Sequence, residues 1–530
     1  MALFEVVIAL LLGGAMLAAL ARRVNAPYPA LLALAGAGLA LLPNAPSVTL
    51  DPELALALFV APVLLDAAFD SSPRDLRKNW RPVTALALLA VGLTVAVVAV
   101  VARWLVPEMP WSVAIALGAI VAPPDAAAAT AVLRQLRPPH RLLVILEGES
   151  LFNDASALLI YRLAVAAAMT GTFSGWSALP LLGLVCVGSV VLGLLLSRVA
   201  LFVTDRVQDI ATAVIVQFVS TFAVWIIAEG LHLSGIITMV VFAIAVARTA
   251  PDRVPARLRI PSYAVWEVVV FVLNVLAFIL VGLQLKPILA RLSRAELISY
   301  AVTAGAVCAA VILVRIAWVL AYGAFARWRR WKVGEGTDGT PRYPSMRAAV
   351  LIAWCGMRGI VTLAAALALP EAGPGTTAFP FRDLVLFTAF AVVLGTLVLQ
   401  GMTLSPLMRV LALEDDGSVE REVRLARAET ARAALDAVDG AERDEELVGY
   451  LRRKYQARLR RAQSAVAESE PAETDELPAL ADIHRRAQAA ERRTLSQLRS
   501  SGVIGEDAFH RVEEELDWAE LNVEGMARRD

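Results

Sequence analysis

Between residue 3 and about residue 410 the chain is a succession of long apolar runs separated by short polar breaks. A run of about 20 mostly apolar residues is long enough to cross a bilayer as a helix. Such a chain reads as an all-α polytopic membrane protein. Thirteen runs qualify, of which the second (28–43) and ninth (232–248) are short. Composition agrees: 58% of the 530 residues are hydrophobic, mean hydropathy is +0.65, and the charges sum to zero. Those values exclude a disordered chain and a nucleic-acid-binding one. The character changes near Leu413-Glu414-Asp415-Asp416-Gly417, after which Arg, Glu, Asp and Ala are dense. Residues 1–412 are therefore expected to form a transmembrane domain and 413–530 a helical cytoplasmic tail. Within the tail, 418–466 and 476–525 read as helical stretches. Leu480, Ile483, Leu495, Leu498, Val503 and Ile504 are placed to form an interface there.

Basic residues alternate between breaks. Arg22 and Arg23, then Arg74 to Arg81, then Arg134 to Arg141, and so on to Arg347 fall in every second one; PNAPSVTLDPE, PEMP and AEGLHLSG hold none. The break with Lys286, Arg291 and Arg294 is the exception. The positive-inside rule then puts the N-terminus outside and the C-terminus in the cytoplasm. The first run lacks a basic leader and reads as a retained helix. Cys186, Cys308 and Cys355 lie in apolar runs without a pairing pattern, and the four histidines show no ligand spacing.

Two runs are interrupted in their middles. The fifth (111–133) contains Val121-Ala122-Pro123-Pro124-Asp125, and the twelfth (346–369) contains Trp354-Cys355-Gly356-Met357-Arg358-Gly359. Proline removes a backbone donor and glycine lets the chain unwind. Unwound backbone at membrane depth survives only where it lines a cavity or is buried in protein. The breaks are seven runs apart, which suits two inverted six-helix repeats, runs 1–6 and 8–13, joined by run 7. Paired broken helices of that kind mark the substrate site of a secondary transporter.

The sixth run (141–170) carries Glu147, Glu149, Ser150, Asn153 and Asp154 inside apolar sequence. An ionised carboxylate at the bilayer centre costs roughly 2.5–3.5 kcal/mol by insertion scales. A fold that retains one generally uses it to hold an ion or a proton. Ser150 and Asp154 are four apart and share a helix face, so one small hard cation could touch both oxygens. The plainer reading, Asp154 paired with Arg162 eight positions on, is weak because the two are more than two turns apart. Glu147 suits a proton path or a structural bond. Asp66 could bond Asn153 or the ion, or simply end the third helix. Asp125 could balance a half-helix N-terminus or sense the ion. Glu267 and Arg315 read as partners in an interhelical pair, and Asn274 as helix–helix glue. Glu229 and His232 are expected at the outer surface.

APVLLDAAFD, AIVAPPDAAAATAVL, ILEGESLFNDASALLIYR, YAVWEVVVFVLNVLAFILVGLQL and WCGMRGIVTLAAALALP together resemble bacterial monovalent cation:proton antiporters of the Asn-Asp branch, relatives of the sodium/proton exchangers. The resemblance implies a 13-helix inverted-repeat fold, a dimerisation domain with a mobile core domain, and a homodimer. It implies exchange of Na⁺, or of K⁺ or Li⁺, for H⁺ across the plasma membrane. By position, Asp154 corresponds to the ion- and proton-binding carboxylate, Asn153 to its partner, Ser150 to a hydroxyl ligand and Asp66 to an acidic neighbour. Glu149 and Arg358 correspond to a buried ion pair. Many relatives have Thr where this chain has Pro124, so a ligand at that position would be a backbone carbonyl. With one acid and one amide in the pair, the site suits one proton or one monovalent cation at a time, hence 1:1 electroneutral exchange. No cofactor, nucleotide or nucleic-acid partner is expected beside the bilayer. A potassium/proton antiporter and a cation channel are the competing transport readings. An intramembrane aspartyl protease lacks its Tyr-Asp and Gly-x-Gly-Asp motifs.

Overall fold

The computed structural model describes residues 2–439 except 24–25, 44–51, 137, 172–174, 334–344, 372–377, 414 and 416, and beyond them 449, 452–457 and 459–460. Among these residues every regular element is a helix. The first runs form α1 (Ala2–Arg23) and α2 (Tyr28–Ala40). The third starts as α3 (Pro52–Ala55), passes through a π-helical turn at Leu56–Val60 and continues as α4 (Ala61–Asp70). A single connecting turn, α5 (Pro73–Lys78), is capped by Ser72, whose hydroxyl accepts the Asp75 N–H at 3.2 Å. Burial alone would raise the Asp75 carboxyl, but bonds from Ser72, Arg74 and His140 hold it below its usual range. The fourth run is α6 (Trp80–Thr84), a π-helical stretch at Ala85–Ala90, and α7 (Val91–Leu105).

The fifth run is two helices, α8 (Trp111–Val121) and α9 (Ala126–Leu136). Then come α10 (His140–Thr170), α11 (Gly175–Thr204), α12 (Ile210–Gly230), α13 (Gly235–Arg253), α14 (Ala256–Leu283), the short α15 (Leu285–Leu289) and α16 (Arg294–Val333). The twelfth run divides into α17 (Met346–Trp354) and α18 (Ile360–Leu367), and α19 (Arg382–Leu411) completes the series. Both predicted interruptions are thus real breaks. Among the described residues eight continuous helical stretches, Trp80–Leu105 and Leu258–Leu289 included, are long and apolar enough to cross a membrane, five fewer than the thirteen runs. The other five runs are short (α2, α13) or assembled from pieces, as the proline and glycine breaks dictate. At 40 residues, α16 is about 60 Å long at 1.5 Å per residue. That is roughly twice a hydrocarbon core, and the stretch of it apolar enough to span ends at Trp328, before the last basic residues.

The helices sort into two panels. A scaffold panel joins α1, α2, α3–α4 and α11–α14; a core panel joins α7–α10 and α16–α19. Each panel therefore takes matching runs from both halves of the chain, as an inverted repeat requires. The panels meet where α10 touches α4 and α13, α18 touches α3 and α14, and α19 touches α2. Scaffold packing is closest between α2 and α14. A Cβ on Gly36 would strike the Ile279 carbonyl, and one on Gly282 would come within 2.5 Å of the Ala37 nitrogen. Short connections make neighbouring spans antiparallel. One end of the bundle, called the first end here, gathers the start of α1, the α12–α13 turn and the α18–α19 connection.

Residues Val419–Asp530 form a separate compact unit from Met1–Ser418. Its α20 (Ser418–Asp439) buries Ala428 and Ala431 and carries an exposed Arg432–Glu429 pair at 2.6 Å. The 476–525 stretch and its apolar positions from Leu480 to Ile504 lie outside the described residues.

Candidate ion site at two crossed broken helices

The two breaks touch. Between α8 and α9 the backbone N–H of Asp125 donates to the Met357 carbonyl, in the gap between α17 and α18, at 2.7 Å. Four half-helix ends therefore converge in protein, each with unpaired backbone groups and a partial charge. Side chains of opposite sign answer them. Arg358, 1% exposed, donates Nε to the Val121 carbonyl and Nη2 to the Ala122 carbonyl, both at 2.9 Å, and Nη1 to the Gly356 carbonyl. It thus places a cation on the C-terminal end of α8. The Arg358 backbone N–H is held by Thr396 Oγ1 at 3.0 Å. Arg315, from α16, does the same for α17 through the Ile352 carbonyl at 3.1 Å.

At the N-terminal ends stands Asp125. Its carboxyl packs so tightly on Gly359, the N-cap of α18, that a Cβ there would fall 2.8 Å from the Asp125 Cβ and collide with the carboxylate. Glycine is required by that approach. A negative group at a half-helix N-terminus is the arrangement favoured by the dipole. Tyr28, at the head of α2, is near enough to Asp125 to interact electrostatically.

The sixth run passes this crossing as the unbroken α10. Asn153 is fully buried and donates Nδ2 to the Pro124 carbonyl at 3.0 Å; Asp154 is 7% exposed. The Asp154 carboxylate is close enough to that of Asp125 for each to feel the other's charge. Asn153 Oδ1 is buried with no hydrogen-bond donor among the described residues. Pro123 and Pro124 are buried, while Ser150, one turn before Asp154, is half-buried, as are Glu147, Asp66 on α4 and Asn274 on α14.

Two expected pairings are corrected. Glu149 is bound by Arg315 and not by Arg358: the guanidinium grips it through Nη1 at 2.5 Å and Nη2 at 2.8 Å, with both side chains buried. Arg358 is instead occupied by the carbonyls of the unwound α8 end, while both oxygens of Glu149 are already taken by Arg315. Glu267 and Arg315 are not partners either, since Arg315 faces α10 and α17 while Glu267 is exposed on α14. Arg162 is engaged by Glu229, which removes the reading of Asp154 as its partner. Thr396 and Gln400 on α19 were not found from sequence. Gln400 is fully buried with neither amide atom paired among the described residues. A polar residue every turn in an apolar run was the available signal.

The profile of the transmembrane sodium/hydrogen exchanger family matches residues 6–410. An uncharacterised Na⁺/H⁺ exchanger of Mycobacterium tuberculosis is 30% identical, over 95% of this chain and 93% of its own. The sodium, potassium, lithium and rubidium/H⁺ antiporter of Bacillus subtilis is 32% identical over 71% of this chain and 57% of its own. In fold, the sodium proton antiporter NhaP1 of Methanocaldococcus jannaschii superposes with a TM-score of 0.60 at 19% identity, covering 78% of this chain and 98% of its own. With a family match over most of its length and a relative at 30% identity along nearly all of it, the chain belongs to the sodium/hydrogen exchanger family.

Proposed function

We propose that the protein is a secondary transporter that exchanges Na⁺ for H⁺ by alternating access at Asp154. The observation that carries this reading is the Asn153–Asp154 pair. Both residues are buried at the crossing of two broken helices, and Asn153 Oδ1 has no donor there. An acceptor oxygen with its amide nitrogen already committed to Pro124 is satisfied by a cation, or by a protonated carboxyl beside it. Asp154 supplies the exchanged charge, Asn153 Oδ1 and Ser150 supply neutral oxygens, and Asp66 lies on the facing scaffold helix. Because one carboxylate is neutralised once, proton and cation exclude each other. The neutral, loaded core crosses; the bare carboxylate resists low dielectric. No cofactor takes part.

The first end of the bundle is outside by this reading, and the protein works in the bacterial plasma membrane as a homodimer. The names of the Bacillus relatives favour a second reading of the cargo, in which K⁺, Li⁺ and Rb⁺ are also carried. Internal pH of proteoliposomes after Na⁺, K⁺, Li⁺ and Rb⁺ pulses tests both. Wild type is expected to move protons against Na⁺, and Asp154→Asn to abolish the flux. Equal flux in the mutant would sink the assignment of Asp154, and the order of ions names the cargo.

A further inference from the structure

Arg162 sits on α10 in the core panel, and Glu229 on α12 in the scaffold panel. Arg162 Nη2 donates to Glu229 Oε1 at 3.0 Å and to Oε2 at 2.8 Å, so the bond crosses the seam between the panels. Glu229 Oε1 also accepts the Gly235 N–H at 3.3 Å, where α13 begins. The carboxylate is thereby fixed in the scaffold and the guanidinium is brought to it by the core. At the same end of the bundle the seam is shut by an apolar cluster. Ala55 and Phe59 of the third span and Ala277 of α14 meet Ala364 of α18, with Ile360 packed against them. The third span and α14 are scaffold, and α18 is core.

We propose that Arg162 and Glu229 form a latch that holds core against scaffold in the conformation with the first end shut, and that it opens once in every transport cycle. This rests on the alternating-access reading above. The two are positioning residues: neither shares a hydrogen bond with Asn153 or Asp154 among the described contacts. Their side chains are 49% and 38% exposed. Exposed ion pairs bias an equilibrium by a small factor, about two- to five-fold. A cycling transporter requires a bias of that size, since a much stronger clasp would arrest it.

The test uses the full-length protein. Glu229→Gln keeps the acceptor for Gly235 and removes the charge; Arg162→Gln removes the other charge; R162E/E229R reverses both. Hydrogen exchange in nanodiscs follows residues 55–60, 360–364 and 234–238. Cation KM and kcat are measured from each end in oriented proteoliposomes. Either single variant is expected to raise exchange at 55–60 and 360–364 by about two- to five-fold and to shift the ratio of the two KM values by a similar factor. The reversed pair is expected to restore both. Unchanged exchange at those segments in both single variants overturns the latch, as does a rise confined to 234–238, which would make Glu229 only a staple of the α12–α13 turn. Arg162→Lys, which keeps the charge and loses the fork, is expected to fall between wild type and Arg162→Gln, and serves if the other variants do not fold. Absence of cation-driven proton flux in wild type would overturn the antiport reading, and hydrogen exchange would still decide the latch.

Discussion

Glu149 owes its place in the core to one neighbour. Buried at 1% exposure, it is gripped by both terminal nitrogens of Arg315, itself 3% exposed. Removing one partner of such a pair leaves an uncompensated charge and costs roughly 3–5 kcal/mol. Glu149→Gln is therefore expected to lower the melting temperature and the yield of folded protein. A double-mutant cycle by thermal unfolding is expected to find coupling of Glu149 with Arg315 and little with Arg358. The reverse pattern would reinstate the pairing expected from sequence. The acids of the sixth run were legible because a charge inside an apolar run is costly enough to need a reason. Their partners were not. Periodicity says which residues share a face of one helix, but it does not give the rotation of one helix against the next. Arg315 could have met Glu267 or Glu149 on that information. Arg358 was drawn away by backbone carbonyls, which no sequence pattern displays.

At the scale of elements, the breaks are the readable part, since Pro-Pro and the paired glycines leave a helix no way through. Their mutual contact is less readable: Gly359 beside Asp125 becomes intelligible only once the two chains cross. The same holds for α2 and α14, where Gly36 and Gly282 let backbone meet backbone. Side chains can turn aside, but a carbonyl in a helix cannot. Gly282→Val is thus expected to force α2 from α14 and to destabilise the protein by at least the 1–3 kcal/mol typical of overpacking. Its melting temperature in detergent should drop clearly below that of Gly38→Val, where a Cβ meets nothing within 4 Å. Equal melting of the two variants would show that the α2–α14 contact is slack. The end of α16 was not legible as membrane-spanning sequence, because its Arg- and Trp-rich residues lose the apolar signal without losing the helix.

Across the whole molecule, the two panels divide the labour. The scaffold is held by small residues and apolar packing, whereas the core contains the crossed breaks and the buried charges. The inverted repeat was legible from the spacing of the breaks and the two-domain plan only from the family resemblance, whereas the way α10, α18 and α19 meet the scaffold was not legible, because interhelical contacts leave no trace in periodicity. The pairing at the crossing has an electrical consequence. At their ordinary charges Glu149 and Asp125 offset Arg315 and Arg358, so the crossing apart from Asp154 sums to zero. A unit charge moved through the full membrane potential gains or loses about 2.3 kcal/mol per 100 mV. Of the five charges named at the crossing, Asp154 alone lacks an opposite, so a proton or a monovalent cation that occupies it brings the crossing to neutral and removes the handle there. Exchange in proteoliposomes is accordingly expected to run at the same rate when a potassium diffusion potential of either sign is imposed. A rate that followed the voltage would mean that another charge travels with the core. Voltage independence would leave the pump deaf to the cell's electrical state and answerable only to its two chemical gradients.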